Sequence, residues 1–394
     1  RDLHSFPTRR SSDLPNLNTY IKEYGNISFC EKPFNEVDNI VLCNVFYMPY
    51  EKIVSDSFDD MPTPFTYASD RLFALRGNKH KPVGLILLKN ISEQMMLMTN
   101  YKRYKEMKLV ACTNVFEKKP DVQFNACTFL LPDGTVVVVF RGTDDSLRGW
   151  KEDFDILTQD NIPSQKLATD YLEQAAQKFD GDIIVCGHSK GGYVAQYGAL
   201  FCKKEVRDRI KCLYNNDGPG FSDYSFIETE NYKEMLPKYK HFVPQSSFIG
   251  MLLCHDDDYE VIKSKRITGP LEHDLSTWQI SGDEIKRESG LTNMGKFNDL
   301  IMYHIVDGLD ESQKAALDRA LTADLDGTGQ VGLLDVKDNA IAAVKGLVSA
   351  HDKIDKATQN TLKEIFADLD KGIASTAQAV IKGEFKTVKQ RIKK

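Results

Sequence analysis

The amino-acid sequence predicts an α/β fold in which helices flank a mostly parallel central sheet, followed by a C-terminal helical extension. Val136–Phe140 is apolar at every position, which is typical of a strand covered on both faces. Residues 167–202 show, in order, a helical pattern, a short apolar run, a glycine-rich turn and a second helical pattern. This order is typical of a doubly wound sheet. From about Glu311 onward Ala, Lys, Asp and Leu recur at helical spacing, and no strand pattern remains.

The segments before the first predicted strand favour helices. Polar Asn35 and Asp38 precede apolar residues at helical spacing, which predicts a capped amphipathic helix. Apolar clusters at residues 72–75, 85–88 and 95–98 also fit helices better than strands. We therefore expect a helical layer to precede the sheet in the chain.

The central segments alternate between strands and helices. An Asp-Gly turn at residues 132–134 separates two apolar, β-branched runs, and this pattern predicts a hairpin. Residues 167–179 carry apolar side chains at helical spacing, and residues 182–186 form a short apolar run. Two later apolar runs, at residues 210–214 and 241–243, are candidates for the next strands.

The length of 394 residues exceeds what one hydrophobic core usually supports, since single cores stop growing at about 250–300 residues. We therefore expect one large domain over residues 15–308 and a smaller helical region over residues 309–394. Residues 1–14 are expected to be an artefactual leader, because residues 4–14 match the translation of a common sequencing adaptor.

Composition excludes several classes of protein. The chain is 41% hydrophobic and 27% charged, as in ordinary globular proteins, and its net charge of −6 argues against nucleic-acid binding. No apolar run approaches the roughly 20 residues that a transmembrane helix needs. The eight cysteines are scattered singly without metal-ligand spacing, which predicts reduced core residues in a cytoplasmic protein.

The strongest functional motif is Gly-His-Ser-Lys-Gly at residues 187–191. It follows an apolar run and precedes a helix of small residues, and this strand-turn-helix setting is the one in which Gly-x-Ser-x-Gly holds a nucleophilic serine. The flanking glycines allow strand and helix to pack closely around a strained serine. Ser189 is therefore the predicted nucleophile, and the alternative is a glycine-rich turn with an incidental serine.

A serine nucleophile needs a histidine base and an acid that orients it, in the chain order serine, acid, histidine. His273 follows a Gly-Pro loop beyond the last sheet-like segment, so we expect it to be the base. Asp217 ends a predicted strand and is the favoured acid. The rival acids lie in one run that is typical of a solvated loop: Asp256, Asp257 and Asp258. The other candidates after Ser189 are His241, His255, His304 and His351. Of these, His241 is expected to pack in its strand, and His304 and His351 are expected to have surface or core roles on helices.

Two backbone donors are expected to bind the oxyanion of the tetrahedral intermediate. One is the N–H of Lys190, directly after the nucleophile. The other should come from the loop after Val136–Phe140, where Thr143 offers both an N–H and a hydroxyl. A site of this kind needs no cofactor.

Five motifs lie along the chain: Phe-Asn-Glu-Val-Asp-Asn at 34–39, Phe-Arg-Gly-Thr at 140–143 with Trp150 and Asp153 downstream, Gly-His-Ser-x-Gly-Gly at 187–192, Asn-Asn-Asp-Gly-Pro-Gly-Phe at 215–221 and His-Asp-x-x-x-Trp at 273–278. Together they resemble the class 3 lipases, and within them a bacterial lipase-like family usually labelled a domain of unknown function. The resemblance implies an α/β-hydrolase fold from about Asn16 to just beyond the His273 segment, with Ser189 as nucleophile and Thr143 and Lys190 as oxyanion donors.

The acid departs from the class 3 pattern. In those lipases it commonly precedes a Val-Pro pair by two residues, and here His241 stands in that place before Val243 and Pro244. The acid has therefore either moved to Asp217 or been lost. The expected function is hydrolysis of an acyl or lipid ester; the alternatives are thioester or peptide hydrolysis, and a non-catalytic scaffold that binds a lipid or protein.

Two weaker signals lie in the C-terminal region. Residues 324–335 resemble an EF-hand loop and could bind calcium, although a polar helix-to-helix loop is the favoured interpretation. Its oxygen ligands would be Asp324, Asp326, Thr328 and Asp335. The lysine-rich tail is expected to be a solvated helix face, with weak contact to an anionic membrane surface as the alternative.

Overall fold

The structure is a computed structural model. It describes residues 16–76, 91–118, 121–142, 156, 162–256, 258–266, 269–308, 312–313, 356 and 360. Most of the expected helical region at 309–394 therefore lies outside the described residues, as does the whole of the EF-hand-like loop.

The described chain forms an α/β fold, as predicted, with helices on both faces of a mostly parallel sheet of eight strands. The helices are α1 Leu17–Tyr24, α2 Glu36–Val45, α3 Phe65–Arg76, α4 Ile91–Asn100, α5 Lys102–Lys105, α6 Pro163–Lys178, α7 Lys190–Phe201, α8 Lys204–Arg209, α9 Ser225–Glu228, α10 Glu230–Met235 and α11 Asn293–Gly308. The strands are β1 Thr63–Pro64, β2 Lys108–Lys118, β3 Asp121–Leu130, β4 Val136–Phe140, β5 Ile183–His188, β6 Ile210–Asn216, β7 Tyr239–Pro244, β8 Tyr259–Ile262, β9 Ile280–Ser281 and β10 Glu284–Ile285.

The order of strands in the large sheet is the order of the chain, from β1 to β8. β1 to β4 pair antiparallel, and the pairs from β4 to β8 are parallel. The predicted hairpin at residues 132–134 is confirmed, since it joins the antiparallel strands β3 and β4. A separate two-stranded ribbon consists of β9 and β10.

Two apolar layers cover the faces of this sheet. Side chains alternate along the strands, so that Val137 and Val139 pack with α2 and α4 on one face. Val136, Val138 and Phe140 pack with α6 and α7 on the other face. All five residues of β4 are buried, as its uninterrupted apolar run predicts.

Helix α2 is buried along its whole length and starts with a capping box. The side chain of Asn35 accepts the N–H of Asp38 at 3.1 Å, and Asp38 accepts the N–H of Asn35 at 3.1 Å. One turn on, Asn39 and Asn216 exchange two side-chain hydrogen bonds of 2.8 and 3.0 Å. The polar residues of the predicted helix therefore cap it and tie it to the end of β6.

The expectation that all eight cysteines are reduced is wrong. Cys112 and Cys127 form a disulfide between β2 and β3, and the other six are free. A bulge between Val110 and Thr113 places Ala111 and Cys112 opposite Cys127, and this brings the two cysteine Cα atoms to 4.2 Å. The spacing of the cysteines in the sequence does not indicate this bulge. The prediction of a cytoplasmic location rested on reduced cysteines, and the disulfide removes that support.

Candidate active site

Ser189 lies in the turn between β5 and α7, in the strand-turn-helix setting that the motif predicts. Its backbone has φ of 59° and ψ of −136°, a conformation that a residue with a side chain rarely adopts. The N–H of Ser189 donates to the carbonyl of Asn216 at 3.1 Å, which ties the turn to the end of β6. Ser189 is half-buried and lies at the carboxyl edge of the sheet, directly after β5.

Glycine is required on both sides of Ser189 by close backbone contacts. A Cβ at Gly187 would lie 1.9 Å from the carbonyl oxygen of Gly191, and one at Gly191 would lie 2.2 Å from that of Phe140. Neither contact leaves room for a methyl group, so the strand and the helix would have to separate.

Gly191→Ala is accordingly expected to lower the free energy of unfolding by about 1–3 kcal/mol, the usual cost of overpacking. Gly198→Ala is the matched control in α7, because its Cβ would lie 3.3 Å from the Cβ of Ala168, a tight contact whose cost the higher helix propensity of alanine offsets. Chemical denaturation of both variants checks the prediction, and equal stabilities would contradict it.

Asp217 and His273, the predicted acid and base, lie in direct contact in the structure. His273 Nδ1 lies 2.6 Å from Asp217 Oδ2, and both side chains are buried. Asp217 follows β6 directly with a φ of 53°, and its N–H donates to the carbonyl of Phe242. The carboxylate is therefore aimed at the histidine by a backbone turn at the end of a strand adjacent to β5.

Groups that no sequence motif indicates support Asp217. Ser247 Oγ donates to Asp217 Oδ1 at 2.5 Å, and the N–H of Gly250 donates to the same oxygen at 3.1 Å. The N–H of Ser246 donates to Glu272, a buried carboxyl group next to His273. Burial raises the pKa of Glu272 to about 7, although the Ser246 hydrogen bond opposes the shift. The loop after β7 thus donates hydrogen bonds to Asp217 and to Glu272, the residue before His273.

The rival acids do not reach His273 by any hydrogen bond or ion pair between described residues. Asp256 is buried, so the expectation of a solvated loop is wrong for it, and burial raises its pKa to about 6. Asp258 is exposed and accepts a hydrogen bond from Tyr232 at 3.2 Å. Asp257 lies outside the described residues.

The rival histidines are packed away from Asp217. His241 is buried on β7, and desolvation lowers its pKa to about 3. His255 Nε2 lies 2.9 Å from Asp299, a second buried pair that sequence reasoning missed because its members are 44 residues apart. Burial opposes the charge of His255, but the hydrogen bond and the negative charge of Asp299 outweigh it and raise the pKa of His255. The side chain of His304 and the whole of His351 lie outside the described residues.

Of the two predicted oxyanion donors, the structure describes Lys190 but not Thr143. Lys190 is the first residue of α7, so its N–H stands at the start of the helix beside Ser189. Thr143 lies outside the described residues, as do Trp150 and Asp153. Its neighbour Gly142 abuts the elbow, since a Cβ there would lie 2.7 Å from the Cβ of Ser189. The chain leaving β4 therefore passes directly beside the serine.

The part of the chain that the structure describes holds neither a cluster of metal ligands nor a helix suited to cross a membrane. Among the described residues no three His, Cys, Asp or Glu side chains are grouped so that they could hold a metal ion. None of the described helices combines the length and the apolar character that a membrane crossing needs.

Comparison with known proteins gives a family and two loose structural matches. No curated protein matches the sequence. The solved structures include the native lipase–propeptide complex of Rhizomucor miehei, with 14% identity, a TM-score of 0.33 and coverage of 59% of this chain and 69% of the lipase. A deletion mutant of the same complex matches with 15% identity, the same TM-score and coverage of 58% and 68%.

A sequence model of the Mbeg1-like family, which is related to lipases, matches residues 98–322. The match extends over more than half of the 394 residues and contains Ser189, Asp217 and His273. The chain therefore belongs to the Mbeg1-like family.

Proposed function

We propose that the protein is a serine hydrolase that cleaves a carboxylic ester of an acyl or lipid substrate. Ser189 is the nucleophile, His273 the general base and Asp217 the acid that orients it. The observation that carries the proposal is the 2.6 Å contact between His273 Nδ1 and Asp217 Oδ2 beside the strained turn of Ser189.

The contact between Asp217 and His273 determines where the protons go. The carboxylate accepts the Nδ1–H of His273, and this leaves Nε2 free to take the proton of Ser189 Oγ. The serine oxygen then forms a bond to the ester carbonyl carbon, and the carbonyl electron pair moves to oxygen. When this intermediate collapses, the bond to the alcohol oxygen breaks and His273 gives its proton to the departing alkoxide. Water attacks the acyl-enzyme by the same steps and releases the carboxylic acid.

The negative oxygen of the intermediate needs donors that are in place before the reaction. The N–H of Lys190 at the start of α7 is one, and the helix dipole adds to its attraction for a negative charge. Thr143 is proposed as the other, supported by the contact of Gly142 with Ser189.

Covalent labelling tests this proposal. A fluorophosphonate probe reacts with a serine only when a base activates it, so we expect the parent protein to label, Ser189→Ala not to label, and His273→Ala to label far more slowly. Ser225→Ala, which removes an exposed serine hydroxyl, is the matched control and should label like the parent.

A panel of esters, thioesters and peptides then separates ester hydrolysis from the other reactions that this machinery can perform. A folded parent protein that does not label would contradict the proposal. That result would favour a scaffold that binds a lipid or protein through the same region.

A further inference from the structure

His188, which precedes the predicted nucleophile, contacts His273 in two ways. Its Nε2 lies 2.9 Å from the carbonyl oxygen of His273. Its imidazole ring packs on the ring of His273, with 4.4 Å between centroids and 30° between planes. His188 is buried, and its Nδ1 lies 2.8 Å from the hydroxyl of Tyr47. The two histidines therefore lie together between the elbow and the Asp217 loop.

These contacts fix which nitrogen of His188 carries a proton. A carbonyl oxygen only accepts, so the Nε2 of His188 must be its N–H donor toward His273. Burial lowers the pKa of His188 well below its usual value, and the nearby His273 lowers it further, so the ring is neutral. Nδ1 is then unprotonated and accepts the hydroxyl hydrogen of Tyr47.

We propose that His188 is a positioning residue for His273, and this rests on the proposed function of His273 as the base. Tyr47 holds His188 in one tautomer, the Nε2–H of His188 anchors the backbone of His273, and the ring of His188 supports the ring of His273. Asp217 orients the imidazole from Nδ1, whereas His188 fixes the carbonyl and one ring face.

A neutral ring is suited to this place. During the reaction His273 becomes positively charged, and a second cation 4.4 Å away would oppose that step. A neutral imidazole supplies the hydrogen bond and the packing without this repulsion. His188, the residue before the serine of the Gly-x-Ser-x-Gly motif, therefore positions His273 as well as forming part of the turn.

Two variants of His188 test the role of the donor. His188→Phe keeps a flat ring but removes the N–H, and we expect fluorophosphonate labelling to slow by about 100-fold, the effect of misplacing a reacting group by about 1 Å. His188→Gln places an amide N–H near the position of Nε2 and should recover most of the labelling rate. His241→Phe is the matched control, because it removes another buried, neutral histidine without a hydrogen bond to His273 among the described residues.

The tautomer is measured independently of activity. In long-range ¹H–¹⁵N spectra of the histidine-labelled full chain, the ring of His188 should show a protonated Nε2 and a bare Nδ1, and it should keep this state as the pH falls through the ordinary range of histidine. Tyr47→Phe should disturb this pattern.

The outcomes of these experiments are distinguishable. A parent protein that does not label would refute the proposed function. A parent that labels, together with a folded His188→Phe variant that labels at the parent rate, would refute only the role of His188, as would a charged or Nδ1-protonated ring.

Discussion

Asp217→Asn should lower the rate of ester hydrolysis by about 10⁴-fold while the protein stays folded. The asparagine oxygen can still accept from Ser247 and Gly250, so the loop remains supported. The new amide NH₂ then faces His273 Nδ1 and donates to it, which leaves the proton of the imidazole on Nε2. A histidine in that tautomer cannot accept the proton of Ser189, and only the oxyanion donors still contribute to the rate.

Steady-state hydrolysis of a chromogenic ester measures this effect, and two other buried acids provide controls. Asp256→Asn and Asp299→Asn change a carboxyl to an amide in the same way, but neither acid contacts His273 among the described residues. We expect both variants to retain turnover of the same order as the parent. A large loss in either of them, with activity retained in Asp217→Asn, would show that the acid is assigned to the wrong residue.

Arg103→Met should destabilise the protein by about 3–5 kcal/mol, because it leaves the buried carboxylate of Asp38 without its counter-charge. Both side chains are fully buried, and Arg103 Nε donates to Asp38 Oδ1 at 2.9 Å in a two-point contact. The guanidinium also donates to the carbonyl of Lys32 at 2.8 Å and lies over the ring of Phe29, 4.0 Å from its centroid. Replacing one residue therefore disturbs α2, α5 and the loop between α1 and α2.

Urea denaturation of Arg103→Met and of three comparison variants, Lys166→Met, Asp38→Leu and the Arg103→Met/Asp38→Leu double variant, checks this value. Lys166→Met removes an exposed ion pair to Asp170 within α6, and it should cost no more than about 0.5 kcal/mol. The double variant with Asp38→Leu should lose less than the sum of the two single changes, since it removes both charges. A loss in Arg103→Met as small as that in Lys166→Met would contradict the prediction.

Much of the fold could be predicted because the apolar patterns of its central elements are strong. The runs at β4, β5, β6 and β7 and the Asp-Gly hairpin lie where the sequence places them. The sequence does not predict β2, because Lys108–Lys118 mixes apolar with polar residues. This composition fits the position of the strand near the edge of the sheet, where β1 pairs with only two of its residues. The disulfide could not be predicted because it depends on a bulge in the pairing of β2 with β3.

The residues of the candidate site could be named from the sequence where they lie in motifs, but not where they meet only through folding. Ser189 and Asp217 both follow apolar strands, and the structure brings Asp217 to His273. Ser247 and Tyr47 belong to no motif, and their contacts to Asp217 and His188 span 30 and 141 residues of sequence. Only the three-dimensional structure reveals such contacts.

The chain-order arrangement of the eight strands has a consequence for how the protein folds. Each strand pairs with the strand that precedes it, so a chain emerging from the ribosome can add every new strand to an edge already present. The antiparallel β2–β3–β4 region needs only short loop closures and should form fastest, whereas the parallel strands wait for their crossover segments. The amide pair of Asn39 and Asn216 joins residues 177 positions apart and cannot close until β6 is made. Attachment of α2 to the end of β6 is therefore a late event, and the hydrogen bond from the Ser189 N–H to the carbonyl of Asn216 likewise forms only after most of the sheet exists.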